Sequence, residues 1–478
     1  MKPSAHNVAR LYEAAQSSDF HKVPNTSGPA DHSVNRAGSR LRDYARWLDE
    51  NNDLTIGALD ILVNNIVGTG IQIEPQVADR KGNPIDRVNE RIRDLWNDWK
   101  RRPDVTGEMS LEELQRLACR TWLRDGEVFA EHVEGPVKPN SRRAVKYCVR
   151  ALEPDWLPFE KHSNKPRIVH GVEKDADAIP IAYHFLEEIA DPIYSHYASQ
   201  VQTRRVPAER VEHLKFSRRL NQTRGVSILH GVINRLDDVR DMEESERIAA
   251  RVGAAFTAAI IRNPDLLGGD TNTFLNESGD ISDRYANRYF EMGPGVIFDN
   301  LLPGEDIKGI GLDRPNTNLI EFLADQHRRI AGGIGVNASS LTKNYNGTYS
   351  AQRQEMVESA PGYARMRDQF VSNFLRPIYE RFLFWAVQSN QLTLPRNAKP
   401  ETLNRADYRA PGMPWIDPKK EIEADQVAVQ AGFKSRHQVI RERGYDPDIV
   451  DQQRAADVMP LQETQAQPVN EETQDDEA

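Results

Sequence analysis

The 478-residue chain holds only two cysteines, Cys119 and Cys148. That is too few for a disulfide framework or a Cys-rich metal site, and it points to a reducing compartment. Positive charge is not in excess either: 62 Lys and Arg stand against 72 Asp and Glu, a net charge of −10. A surface built to hold nucleic acid tightly would carry the opposite balance. Long apolar runs are missing. The stretch AARVGAAFTAAII, residues 249–261, contains an arginine and falls short of the roughly 20 residues that cross a bilayer. The opening MKPSAHNVARLYEAAQ lacks the apolar core of a signal peptide. Neither a membrane span nor an export signal is expected.

Catalytic signatures are missing as well. There is no GxxxxGK[ST] phosphate loop and no HExxH pair. Gly68-Thr69-Gly70, in LDILVNNIVGTGIQIEPQ, looks at first like a dinucleotide loop, but the third glycine would fall at Ile73. The order is also wrong. A dinucleotide site runs strand, glycines, helix, so that phosphate meets a helix N-terminus. Here an amphipathic helix precedes the glycines and the alternating IQIEP follows them. The pair then sits at the negative end of a helix dipole, where it serves as a C-cap and turn. Ser227, in RGVSILHG, would need glycine at Leu229 to form a nucleophile elbow and reads instead as a helix N-cap. His184, Glu187, Glu188, Asp191 and His196 form a loose cluster. A metal-dependent nucleic-acid-processing enzyme is the alternative they leave open, although their spacing matches no ligand motif. No catalytic residue, metal or cofactor is assigned.

What the chain does have is a sequence of well-marked segments. Residues 1–35 are rich in Pro, Gly, Ser and Asn and read as a flexible arm. Helical periodicity then places Leu41, Tyr44, Ala45 and Leu48 on one face. The same spacing unites Leu59, Leu62, Val63 and Ile66, and then Val88, Ile92, Leu95, Trp96 and Trp99. A capping box from Ser110 to Glu113 opens a fourth helix that should stop at Gly126. From Glu127 to about His213 the pattern alternates as strands do. Helices are expected from Val226 to about Ile261 and from Asn318 to Ile334, with a mixed Gly- and Pro-rich segment between them. The polar loop GVNASSLTKNYNGTYS leads into a helix from Ser350 to Asn390, which Pro361 and Pro377 should kink. Trp96, Trp99, Trp122 and FLRPIYERFLFWAV read as core. The end, LQETQAQPVNEETQDDEA, is polar, acidic and expected to be disordered.

Five blocks in register carry a resemblance. VPAERVEHLKFSRRLNQTRGVSILHGVINRLDDVRDMEESERIAARVGAAF is similar to the central block of lambda-type portal proteins of tailed phages. LDILVNNIVGTGIQIEPQ, PGVIFDNLLPGEDI, RRIAGGIGVNASSLTKNYNGTYSAQRQEM and GMPWIDPKKEIEADQVAVQAGFKSRHQVIRERGYD agree in the same order, so the likeness spans about residues 36–455. The resemblance implies an α+β portal fold, mainly helical with a β-rich wing, long stem helices and a long kinked helix. It implies assembly as a ring of about twelve subunits at one capsid vertex, a closed cyclic arrangement. It divides the chain into an arm (1–35), wing (36–224), first stem helix (225–262), clip (263–315), second stem helix (316–334), tunnel loop (335–349), kinked helix and return segment (350–416), crown (417–460) and acidic tail (461–478).

The same resemblance implies partners and contacts. Double-stranded DNA would pass through the channel without sequence-specific binding. The terminase large subunit, the major capsid and scaffold proteins, and head-completion or tail-connector proteins would dock on the ring. No enzymatic activity and no membrane contact are implied. The protein would reside in the virion at the portal vertex and in the host cytoplasm during assembly. Lys343, Asn344, Tyr345 and Asn346 fall on the tunnel loop, where one lysine per subunit would touch phosphates and asparagines could bond phosphate oxygens. Arg218, Arg219 and Arg224 either pair with acids of an adjacent subunit or lie in a solvated turn. Arg328 and Arg329 face either the channel or a neighbour.

Overall fold

The structure is a computed structural model that describes residues 28–135, 144–187, 202–255, 259–262, 305–308, 317–410, 418–445 and 447–456. Its chain divides into two compact units, residues 1–231 with 334–478, and residues 232–333. The fold is α+β, and every pair of strands in its sheets is antiparallel.

The first unit opens with helix α1, Ala30–Asn51. It starts inside the segment expected to be a flexible arm, because Ala30, Val34, Gly38, Arg42 and Ala45 bury one face along it. The sequence disguises that face with a glycine and an arginine. Helix α2, Asp53–Ile66, is capped by Asn52, whose side chain accepts from the Thr55 N–H at 2.9 Å. It ends as the sequence requires: the N–H groups of Val67 and Gly68 both return to the Val63 carbonyl, and Gly68 has φ 57°. The chain then turns through Gly70 into strand β1, Gln72–Pro75. After helix α3, Asp86–Trp99, Ser110 caps helix α4, Leu111–Asp125, which Gly126 terminates at φ 91°.

Strand β2, Glu127–Glu134, forms the centre of a three-stranded sheet between β3, Tyr147–Leu152, and the later β9, Val211–Lys215. Between them β4 (Ser163–Asn164), β5 (Arg167–Val169), β6 (Val172–Lys174), β7 (Pro180–Leu186) and β8 (Thr203–Pro207) pair in sequence order as a five-stranded meander. Phe129, Leu152, Leu157, Val172, Tyr183, Phe185, Val206 and Val211 fill a shared core.

The second unit contains helix α5, Ile233–Ala255, the strand pair β10 (Ala259–Arg262) and β11 (Glu305–Lys308), and most of helix α6, Thr317–Ile334. The helix expected over 225–262 is therefore shorter at both ends. A 3-10 turn, Ile228–Gly231, precedes it, and β-branched Ile260 and Ile261 join a strand. Most of the segment expected to be the clip, and the acidic tail, lie outside the described residues.

Helix α7, Ala338–Thr342, interrupts the expected loop. Helix α8, Tyr349–Phe370, carries Pro361 without a break, and a π-helical turn, Val371–Leu375, joins it to helix α9, Arg376–Gln388. Pro377 has no N–H for the Asn373 carbonyl, and the widened turn lets the Arg376 N–H reach back to Val371 instead. Trp96 and Trp99 of α3 and Tyr379 and Phe382 of α9 are core, as their spacing predicts, whereas Phe384 of α9, expected in the core, is half exposed. Trp96 lies edge-on to Tyr379 and Phe382, while Trp99 stacks on Tyr147 at 5.5 Å and donates its indole N–H to the Tyr147 carbonyl. Strand β12, Ala406–Arg409, pairs with β1. Helices α10 (Pro418–Gln430), α11 (Arg436–Glu442) and α12 (Pro447–Ala456) follow. No helix among the described residues is long and apolar enough to cross a membrane.

Candidate functional site

Helix α7 delivers Lys343 to a left-handed position at its C-cap, φ 55°. That conformation ends the helix and directs the chain into an exposed turn. Lys343, Asn344, Tyr345 and Asn346 are all exposed there. The turn is nevertheless tied at both ends. Leu341 is buried on the entering side, and the Asn344 Oδ1 accepts from the Asn346 N–H at 3.2 Å. On the leaving side Thr348 caps α8 by accepting from the Ala351 N–H. Gln352, one turn further, donates its side-chain N–H to the Tyr345 carbonyl at 2.5 Å. Ser339 and Ser359 bond Glu355 and Asn337 across the base. The loop thus presents one cation and two amides to solvent on a braced backbone, an arrangement suited to phosphate contacts. Gln352 and Thr348, which set the geometry, give no sequence signal beyond a capping threonine.

The predicted arginines separate. Arg218 and Arg219 are exposed in the turn after β9. Their backbone N–H groups both donate to the Gln222 side chain, and the Arg219 guanidinium donates to the Gly28 carbonyl at 3.0 Å. Arg224 is fully buried, which corrects its placement among subunit-facing residues. Its Nε donates to Glu127 at 2.7 Å, and its remaining donors reach the Leu157, His170 and Pro154 carbonyls. The guanidinium also lies 4.1 Å from the Phe159 ring centroid. With its donors used inside one chain, it has nothing to offer a neighbour. Arg328 and Arg329 are exposed on α6, and Arg329 pairs with Asp325 one turn back.

Glu127 is the hub of a charged knot that sequence reading misses. Its second carboxylate oxygen accepts from the Gly225 N–H at 2.8 Å and from His213 Nε2 at 2.9 Å. Burial alone would raise its pKa, but Arg224, His213 and the Gly225 N–H outweigh burial and hold it at about 2. Burial pushes His213 the other way, down to about 4 despite the carboxylate, so at neutral pH it is an uncharged donor. The knot fastens the start of β2 to the segment where the chain leaves the first unit. Gly126 and Gly225 allow it: a Cβ on either would fall within 2.2 Å of the opposing backbone.

Of the loose metal cluster, His184 and Glu187 lie among the described residues. His184 Nε2 bonds Glu173 at 2.9 Å, and Glu173 is also held by Arg205. Glu188, Asp191 and His196 lie outside the described residues. Ser227 does not open an α-helix directly. Its hydroxyl accepts from the Leu229 N–H and starts the 3-10 turn.

The sequence profile described as "Phage portal protein, lambda family" matches residues 16–367, which include the braced loop, the buried knot and both long helices of the second unit. The chain belongs to the lambda family of phage portal proteins. The probable portal protein of Halomonas phage phiHAP-1 is 26% identical over 449 residues, covering 91% of this chain and 83% of that one. Portal protein B of Escherichia phage lambda is 22% identical over 446 residues, covering 86% and 81%. Among solved structures, a chain of the virion of a native gene transfer agent particle matches with a TM-score of 0.45 at 16% identity, over 86% of this chain and 94% of that one. The role of this portal protein is structural.

Proposed function

We propose that this portal protein assembles into a ring of about twelve copies at a capsid vertex, through which double-stranded DNA enters and leaves. Membership of the portal family over residues 16–367 carries the proposal. In the ring, the turn Lys343–Asn346 faces DNA. The braced backbone and the exposed Lys343 support that role, since a repeated single lysine gives evenly spaced phosphate contacts without a continuous basic lining. Terminase, the capsid and scaffold proteins and the head-completion proteins dock on other faces, and the protein acts without cofactor or catalysis, first in the host cytoplasm and then in the virion.

Class-averaged electron micrographs of the purified protein viewed down the symmetry axis test the ring directly. A population of monomers with no ring overturns it. The DNA contact is tested by packaging in vitro. Lys343→Glu should impair packaging or retention while rings form normally. Lys343→Gly sharpens the comparison, because glycine adopts φ 55° readily and removes the cationic side chain without introducing an opposite charge. Unchanged packaging in both variants shows that the loop is not a working contact.

A further inference from the structure

A turn in the first unit is shaped for a partner that the single chain does not supply. Residues Ser217–Gln222 follow β9 and hold a fixed form. Gln222 accepts from the N–H groups of Arg218 and Arg219 and donates to the Arg224 carbonyl at 2.8 Å, while Asn221 takes the left-handed conformation, φ 62°. At the tip Leu220 is 92% exposed. An apolar side chain on so tightly braced a turn, flanked by two exposed arginines, has the form of a contact anchor. Beside it lies a cavity of about 470 Å³ whose lining includes Lys174, Lys215, Arg218 and Arg219 and no carboxylate. The neighbouring Asp31 is already spent, accepting from the Thr223 N–H and hydroxyl at 2.7 and 2.6 Å.

The complementary surface lies on α1. Asp43, Trp47 and Glu50 are exposed at i, i+4 and i+7, so they share one face of the helix. Trp47 is 40% exposed and packs against Tyr44, with ring centroids 6.0 Å apart. Neither carboxylate has an ion-pair partner among the described residues. The stripe is acid, indole, acid; the turn is arginine, arginine, leucine.

Within one chain the two cannot meet. The turn is fastened at the start of α1, through Arg219 to Gly28 and Thr223 to Asp31. From Asp31 to Asp43 the helix advances twelve residues, roughly 18 Å at about 1.5 Å per residue, and Glu50 lies two further turns away. We infer that the Ser217–Gln222 turn of one subunit docks on the Asp43–Trp47–Glu50 stripe of a second copy, with Leu220 against Trp47 and the basic cavity taking the carboxylates. The surfaces differ, so the contact is heterologous and repeats in one direction, as a ring requires. The exposed leucine favours a protein occupant over a phosphodiester, which would use the cations and leave Leu220 in water.

The inference rests on the ring proposed above, and the test separates the two. Arg218→Glu with Arg219→Glu, and separately Asp43→Arg with Glu50→Arg, should each weaken association at least about tenfold, the scale of close interfacial charge pairs. Native mass spectrometry and light scattering read this loss. All four changes in one chain should restore rings. Because Arg219 also touches Gly28, a second measurement avoids the arginines. Leu220→Cys adds a single exposed thiol to a chain whose own two cysteines are buried. A photoactivated thiol reagent on it should join subunits through the α1 peptide containing Trp47. Rings unaffected by either charge reversal, or loss without rescue, overturn the contact while leaving the ring standing. Capture of added duplex DNA in place of α1 assigns the cavity to phosphate and overturns the contact too. A wild-type protein that stays monomeric removes the ring itself.

Discussion

At the scale of single residues, the buried Glu127–Arg224 pair shows what a sequence conceals. Arg218, Arg219 and Arg224 look alike in SRRLNQTRG, yet two are exposed and one is fully buried. Nothing within a few residues of Arg224 says that Glu127, 97 positions earlier, waits for it. Removing one partner leaves a charge buried without compensation, so Arg224→Ala should cost about 3–5 kcal/mol in denaturant unfolding. The same change at exposed Arg218 should cost under about 0.5 kcal/mol. Acid acts on the knot through two groups of one sign. His213 titrates near 6.5 when unfolded but at about 4 when folded, so the unfolded chain binds more protons between those values and stability falls as pH drops through that window. Glu127, depressed from 4.5 to about 2, contributes stability that is complete above 4.5 and lost as pH falls toward 2. Melting temperature should therefore decline from about pH 6.5 downward. His213→Gln, which keeps an N–H for the carboxylate, should delay the onset of that decline to about pH 4.5.

At the scale of elements, capping chemistry made helix ends legible wherever a local rule applied. Ser110, Gly126 and the Gly68 turn stand where their residue types demand, because a cap depends on neighbours only three or four positions away. Long-range pairing was not legible in the same way. Ala259–Arg262 reads as the tail of a small-residue helix, and only its antiparallel partner Glu305–Lys308, more than 40 positions on, makes it a strand. The Lys343 loop combines both cases. Its polarity marked it as a loop, while the side chain that steadies it, Gln352, looks like any exposed helical residue. Gln352→Ala should free the Tyr345 carbonyl and raise amide hydrogen exchange across 343–347 severalfold. Exchange in the body of α8 should be unchanged, since local opening costs only what locally holds the segment. If exchange in the loop stays at its wild-type rate, the brace is elsewhere and the loop's order comes from α7 alone.

At the scale of the whole molecule, net charge decides how a portal can treat DNA. A ring of about twelve copies would carry a formal charge near −120, twelve times the single-chain −10. In the proposed ring a duplex would meet overall repulsion, with Lys343 as a sparse ring of attraction. Tight binding would oppose translocation, since every phosphate neutralised must be released again for the next to advance. The family was legible in the sequence because four of the five ordered blocks fall within the residues 16–367 that match the family. The charge balance was readable without any resemblance. Assembled rings should accordingly bind free duplex DNA weakly at about 0.15 M salt, and the affinity should depend only shallowly on salt. Each phosphate engaged adds about −0.9 to the slope of log affinity against log salt, so a few transient contacts give a slope of small magnitude. Fluorescence anisotropy across a salt series measures it. A slope near −10, as for a protein gripping many phosphates at once, would mean that the channel holds DNA by charge and that Lys343 is one cation of a larger binding surface. With a shallow slope that Lys343→Gly flattens further, the lysine ring is a guide along which the duplex slides.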